Sequence, residues 1–294
     1  MSAPSTLLVT GASGQLGKLV INHLLNTLAI SPERIVAGTR DPTKLQELAD
    51  KGVQVRKVDF SDVQTVSAAA AGVDRALLIS VVEGEGENQV AAVDALAKAG
   101  VKHVVYTSLQ GLDKSLFRGK TKHEATEVAL KSGKISYTIL RNGLYFDNCI
   151  RAIGDVVKTG EWFSASKDGK ASLISRDDLA RAAATALASD SSDNVTYELT
   201  GPEALSVDEI VAQISETVEK PIQVIQVSVS DLSKGIAAAT GLPSFIADIL
   251  ASLDASIAAG VAGDVTDDYE KLTGVKAQTH LEWLAANKSF LQSL

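Results

Sequence analysis

The chain has 294 residues, 45% of them hydrophobic, with 28 Lys and Arg against 36 Asp and Glu. That length allows one large α/β domain, or one domain with a smaller lobe. The formal charge of −8 argues against nucleic acid as the main partner, while leaving room for a local basic pocket that holds a phosphate.

Cys149 is the single cysteine, so no internal disulfide is expected, which agrees with a reducing, cytoplasmic setting. The start, Met1-Ser2-Ala3-Pro4, has no basic n-region and no signal-type apolar segment. An apolar run at Leu7–Thr10 predicts the first strand. It leads into Thr10-Gly11-Ala12-Ser13-Gly14-Gln15-Leu16-Gly17, and the periodicity of Leu19, Val20, Leu24 and Leu28 predicts a helix over Lys18–Leu28. Strand, glycine-rich turn and helix in that order form a pyrophosphate site, where backbone N–H groups and a helix N-terminus meet the anion. Gly11 makes the tight turn, Gly14 lets the backbone approach the phosphates, and Gly17 lets helix and strand pack closely. Ser13, Gln15 and Leu16 belong to the same cradle.

Arg34–Gly38 reads as the second strand, and Pro42–Lys51 as a helix with proline in its first turn, closed at Gly52. Val53–Val58 is the third strand, followed by a helix capped by Ser61 or Asp62. Ala76–Ile79 is the fourth strand, Asn88–Ala99 a helix closed by Gly100, and His103–Thr107 the fifth strand. A helix over Lys120–Lys131 and a sixth strand over Ser136–Leu140 complete the alternation. Strands that are short apolar runs, separated by helices, predict a doubly wound parallel sheet of the Rossmann type in an α/β fold. Residues 1–150 form the expected dinucleotide-binding domain. After it come the Arg176–Ser189 helix, the Val195–Thr200 strand and the Val207–Val218 helix, less regularly spaced. Residues 151–294 are expected to add one sheet strand and a smaller C-terminal substrate lobe. Residues 235–263 carry only Asp248 and Asp254 as charges, but Gly241-Leu242-Pro243 interrupts them, so they read as short helices rather than a membrane span.

In a dinucleotide fold the tip of the second strand meets the adenosine ribose. Here it reads Arg40-Asp41-Pro42-Thr43-Lys44. Arg40 sits where a 2′-phosphate would arrive, and Lys44 adds charge one helical turn on, which favours NADP over NAD. Asp41 is the competing feature, because a carboxylate there suits a free 2′-hydroxyl. Asp59 and Phe60, after the third strand, suit the adenine amino group and ring, with a helix cap as the alternative. Ser80 ends the fourth strand on the cofactor side, and the loop Val81–Glu87, with Gly84 and Gly86, is placed to move over the nicotinamide.

Five stretches carry a resemblance: the glycine turn, Arg40–Lys44, Leu77-Leu78-Ile79-Ser80, Val101–Leu109 with its Tyr106-Thr107-Ser108, and Tyr137–Tyr145 with its Leu140-Arg141-Asn142-Gly143-Leu144-Tyr145. Together they resemble the NmrA-like branch of the atypical short-chain dehydrogenases, densely over the first half and loosely to the end. The resemblance implies an NADP-binding Rossmann domain, Tyr106 among the cofactor-side residues, a substrate cleft against a C-terminal lobe, and reduction of quinones or related carbonyl compounds by NADPH. It equally implies an alternative, because the family includes non-enzymatic NADP(H) sensors that regulate partner proteins. Monomer and homodimer both stay open.

Typical short-chain dehydrogenases carry a tyrosine and, four residues later, a lysine on the helix after the fifth strand. Here Gly119 and His123 fall at those places, so a conventional alcohol dehydrogenase is disfavoured. Hydride addition to a quinone yields a phenolate-like oxygen, which needs a matched acid far less than an alkoxide does. His123 is therefore expected to donate a hydrogen bond to that oxygen, oriented by Glu127 one turn on, or else to contact the nicotinamide ribose. Lys120 and Lys122 compete for the ribose contact. Ser108 either meets a substrate oxygen or serves a turn. Asn142 is placed for the carboxamide or the substrate, and Tyr145 for the wall of the substrate site. Trp162 and Phe163 read first as packing residues. His23, His103 and His280 read as structural or surface groups, and no metal-ligand spacing occurs.

Overall fold

The computed structural model describes residues 5–81 and 86–294, with only the backbone described at 149–152. Most of the loop expected to move over the nicotinamide, residues 82–85 with Gly84, lies outside the described residues.

The first half runs β1 (Leu7–Val9), α1 (Gln15–Asn22), β2 (Ile35–Thr39), α2 (Gln46–Asp50), β3 (Gln54–Lys57), α3 (Val63–Ala69), β4 (Arg75–Leu78), α4 (Gly86–Lys98), β5 (His103–Leu109), α5 (Lys120–Lys131) and β6 (Ser136–Asn142). A π-helical turn, His23–Thr27, prolongs α1. The second half runs α6 (Ile150–Thr159), β7 (Glu161–Ser164), β8 (Lys170–Ala171), α7 (Arg176–Ala188), β9 (Val195–Leu199), β10 (Leu205–Ser206), α8 (Val207–Val218), β11 (Gln223–Gln226), α9 (Val229–Thr240), α10 (Ser244–Ala258), α11 (Asp268–Thr273) and α12 (His280–Leu291).

Seven strands form one sheet in the order β3-β2-β1-β4-β5-β6-β9, each pairing parallel with its neighbours. Strand order reverses between β1 and β4, and ligands in such sheets bind outside the carboxyl ends at that switch point. The period-two alternation of β1 sends Leu7 and Val9 into the core beneath α1 and α7, and Leu8 into the core beneath α3, α4 and α5. Alanines at 180, 182, 183, 184 and 186 let α7 lie close on the sheet, all nearly free of solvent. The buried Arg75 guanidinium donates to the carbonyls of Ala186, Leu187 and Ser191, setting a positive charge at the C-terminus of α7.

The further strand expected from the second half is β9, which pairs Val195–Leu199 with Thr138–Asn142. A third core gathers Phe146, Ile153, Leu173, Ile210, Ile214, Trp283, Leu284 and Leu291, with Trp162 packed against it. Trp162 is thus a packing residue, while Phe163 is half exposed. Residues 235–263 form α9 and α10 joined at Gly241-Leu242-Pro243, and among the described residues no helix is long and apolar enough to cross a membrane.

Candidate active site

At the end of β1, Gly11 adopts a φ of +61°, which an L side chain takes up only with strain. At Gly17 a Cβ would stand 2.3 Å from the Gly11 carbonyl oxygen and 2.8 Å from Ala12 Cα. The turn is thus wound directly against the first turn of α1. Gly14 caps that helix in an extended conformation without a side-chain cap. The helix therefore begins at Gln15, earlier than its apolar periodicity suggests, and its first N–H groups lack a side-chain acceptor at the cap. Ser13 Oγ lies 2.8 Å from Thr39 Oγ1 and the Ala12 N–H donates to the Gly38 carbonyl, so the turn is fastened to the tip of β2. This cradle fits a pyrophosphate.

Arg40 is exposed at that tip, and Lys44 is exposed one turn on. Asp41, their competitor, accepts from the Thr43 N–H at 3.1 Å and the Thr43 hydroxyl at 2.6 Å, and those bonds hold its carboxyl below the usual range. Asp59 turns back on its own loop, accepting from Ser61 N–H and Oγ at 3.0 and 2.7 Å, and lies in the field of Arg40 and Lys57. Its expected link to adenine competes with that turn. The helix cap there is Asp62. Phe60 is half-buried against the core under α3 and α4. Ser80 is tied to β5, its N–H donating to Thr107 Oγ1 at 2.9 Å.

On the other side of the switch point the structure rearranges the expected roles. Tyr106 is fully buried in β5, so it faces His123 rather than open cleft, with its hydroxyl 3.0 Å from His123 Nδ1. Burial pulls the His123 pKa down to about 4, against the raising influence of Glu127, and the ring is neutral at neutral pH. Glu127 does not orient that ring. Its carboxylate takes the Ser108 hydroxyl at 2.7 Å, a bidentate Arg141 fork at 2.9 and 2.8 Å, and Lys131 at 2.8 Å. Burial alone would raise the Glu127 pKa, but these donors outweigh it and hold the carboxyl down at about 2. Ser108, expected at a substrate oxygen, is buried and committed to this network. Arg141 also reaches Asp113 at 3.0 Å and Glu198 at 3.1 Å.

Asn142 ends β6 with its Nδ2 donating to Tyr145 Oη at 3.1 Å, while its buried Oδ1 has no hydrogen-bond partner. It also borders a cavity of about 20 Å³ shared with Gln110, Leu144 and Ser256. The Arg176 guanidinium lies 5.5 Å from the centre of the Tyr145 ring, and burial raises the Tyr145 hydroxyl pKa. At Gly119 a Cβ would stand 2.5 Å from the Phe117 ring, which fills the space beside that position. The four histidines differ: His103 and His280 are deep structural groups, each with its pKa lowered by burial to about 4. His23 is also buried, with its Nε2 3.0 Å from Asp177.

Arg141 was not singled out by its sequence context. A signal was present: Arg141 directly follows the apolar Ile139-Leu140 of the sixth strand, and an arginine drawn in at such a strand end must find buried carboxylates. Among the described residues no group of His, Cys, Asp and Glu is arranged to hold a metal ion.

A doubly wound sheet with a glycine cradle and a polar cleft at its carboxyl edge defines a dinucleotide-binding oxidoreductase fold, and the NmrA-like family model matches residues 3–282; the chain belongs to that family. It is similar to quinone oxidoreductase 2 of Escherichia coli strain K12, 35% identical over 276 residues that cover 93% of this chain and 96% of that protein. It is also similar to an NAD(P)H azoreductase of Xenophilus azovorans, 28% identical over 96% of this chain and 97% of that one. Among solved structures, an NADPH-dependent quinone oxidoreductase from Escherichia coli complexed with NADPH superimposes with a TM-score of 0.90 at 33% identity, covering 95% of this chain and 99% of the other.

Proposed function

We propose that this chain is an NADPH-dependent oxidoreductase that delivers hydride to quinones or related carbonyl compounds. The observation that carries the reading is a neutral, half-buried His123 on α5, its Nδ1 3.0 Å from the Tyr106 hydroxyl of β5, in the fold that bears the glycine cradle at the end of β1. Similarity to a quinone oxidoreductase and an azoreductase supports it.

NADPH, when bound, supplies the hydride. The turn at Gly11, Ser13, Gly14, Gln15, Leu16 and Gly17 holds the pyrophosphate on the N-terminus of α1. Arg40, with Lys44 behind it, takes the 2′-phosphate, since Asp41 is occupied by Thr43. Asp59 and Phe60 border the adenine, and Ser80 the strand end beside the nicotinamide ribose. Asn142, whose Oδ1 has no partner, would hold the carboxamide of the bound cofactor. His123 donates a hydrogen bond to the acceptor oxygen as negative charge gathers there. A phenolate-like product is weakly basic enough to leave without a strong acid, consistent with no tyrosine at position 119. Tyr145 walls the acceptor side. Residues after about 150 add β9 to the sheet and supply the smaller lobe that covers the acceptor.

The test is loss of reduced-nicotinamide absorbance with benzoquinone-type acceptors. Turnover that depends on the quinone supports the reading. Tight NADPH binding with no turnover across quinones, azo dyes and carbonyls overturns it and favours a cofactor-sensing protein.

A further inference from the structure

We propose that Tyr106 is a positioning residue that fixes His123 in one tautomer, so that the imidazole presents Nε2–H to the acceptor. The inference rests on the reading of His123 as the donor in the cleft.

Three observations carry it. The Tyr106 hydroxyl and His123 Nδ1 are 3.0 Å apart, with ring centroids 6.0 Å apart and planes tilted by 45°. Tyr106 has no solvent exposure, so its hydroxyl proton must find an acceptor inside the protein. The nearby Thr126 hydroxyl gives its own proton to the Lys122 carbonyl at 2.8 Å, so toward Tyr106 it offers only a lone pair, and of the two acceptors within reach the imidazole nitrogen is the more basic and takes the phenolic proton. Desolvation keeps the phenol protonated and the imidazole neutral. The two side chains then share one phenolic and one imidazole proton. With Tyr106 donating to Nδ1, the imidazole proton resides on Nε2, on the opposite edge of the ring. Because His123 is half-buried and Tyr106 enclosed, the tyrosine sits behind the imidazole, on its protein side. That geometry also holds the ring plane, so the donor direction is set before the acceptor arrives.

The arrangement does without a carboxylate behind the histidine. A carboxylate would draw the proton to Nδ1 and favour imidazolium. A buried phenol leaves the ring neutral and makes Nε2 a donor. The Glu127 charge on the same helix is meanwhile absorbed by Arg141.

Nitrogen-15 NMR of the full-length protein labelled in its histidines tests this directly, with the His123 signals assigned by their loss in His123→Gln. The expected wild-type spectrum shows His123 protonated on Nε2 and bare on Nδ1. In Tyr106→Phe that preference collapses to a mixture, and kcat with a benzoquinone falls about 3- to 10-fold, the worth of one hydrogen bond, while KM for NADPH stays within about two-fold. A wild-type His123 protonated on Nδ1 overturns the proposal, as does an unchanged tautomer in Tyr106→Phe. The wild-type spectrum decides even if the variant folds poorly. If His123→Gln leaves kcat unchanged while the tautomer is as expected, the assignment of His123 to the acceptor fails and the role of Tyr106 toward the ring stands.

Discussion

Substituting Gly17 by alanine tests the cradle most sharply. The added methyl would lie 2.3 Å from the Gly11 carbonyl oxygen and 2.8 Å from Ala12 Cα, both backbone atoms that no rotamer change can move. Ordinary contact requires α1 to retreat from the turn by about 1 Å. Overpacking of this kind costs on the order of 1–3 kcal/mol, which lowers Tm by roughly 2–10 °C in a chain of this size. The same retreat withdraws the N–H groups of α1 from the pyrophosphate, and a displacement of about 1 Å can cost on the order of 100-fold. Thermal melts and calorimetric titration with NADPH measure both effects. Gly235→Ala is the control: it lies in the exposed α9 with nothing within 4 Å of the new methyl. Helix propensity predicts a gain of about 1 kcal/mol there. If Gly17→Ala matches the wild type in Tm and in affinity for NADPH, the close approach of helix and turn has no energetic meaning and the cradle reading fails.

Arg40→Ala should weaken NADPH about 10- to 100-fold, the worth of a charge-assisted phosphate contact, and leave NADH nearly unchanged; equal losses for both nucleotides would remove Arg40 from the 2′-phosphate. Arg141→Met should destabilise the fold by about 3 kcal/mol, because Glu127 stays buried without its guanidinium. The double variant Arg141→Met with Glu127→Leu should lose less than Arg141→Met alone, and a strictly additive loss in urea titrations would refute the pairing. Acid should act early. His103, His123 and His280 all have folded pKa values of about 4, below the ordinary histidine value of 6.5. Between those values the unfolded chain binds more protons, so stability falls as pH drops, by up to about 1.4 kcal/mol per pH unit for each histidine. Denaturant titrations that give a flat stability from pH 6.5 down to 4.5 would contradict it.

The fold was largely legible because its signals are local. Strands that are apolar on both faces, glycine helix stops and short connections specify a parallel sheet before any contact is known. The helices Lys120–Lys131 and Val207–Val218 have the expected bounds. In the second, Ser206 and Glu209 form a capping box that fixes the start. The sheet strand contributed by the second half was expected too, although its pairing with β6 spans more than 50 residues of chain. The first helix was misplaced because apolar spacing reports burial, whereas its start is set by Gly14 and by the backbone crowding at Gly17.

The site was legible by position and not by partner. Apolar patterning ends β5 at Thr107 and β6 at Leu140, yet both strands continue for two residues, with Ser108 paired to Arg141 and Leu109 to Asn142. Ser108, Arg141 and Asn142 break the hydrophobic run, so a sequence reading cuts the strands short. They remain in the ladder because β9 pairs with β6 up to Asn142 and because Glu127 and Arg141 satisfy each other beneath it. Helical spacing placed Glu127 one turn from His123 and suggested that the carboxylate orients the ring. Spacing along a helix cannot count competing donors. Ser108, Lys131 and Arg141 arrive from β5, α5 and β6 and take the carboxylate, which leaves the imidazole to a tyrosine from the sheet. The strand ends that look least like strand therefore hold the groups on which the cleft depends, and their roles follow from tertiary pairing.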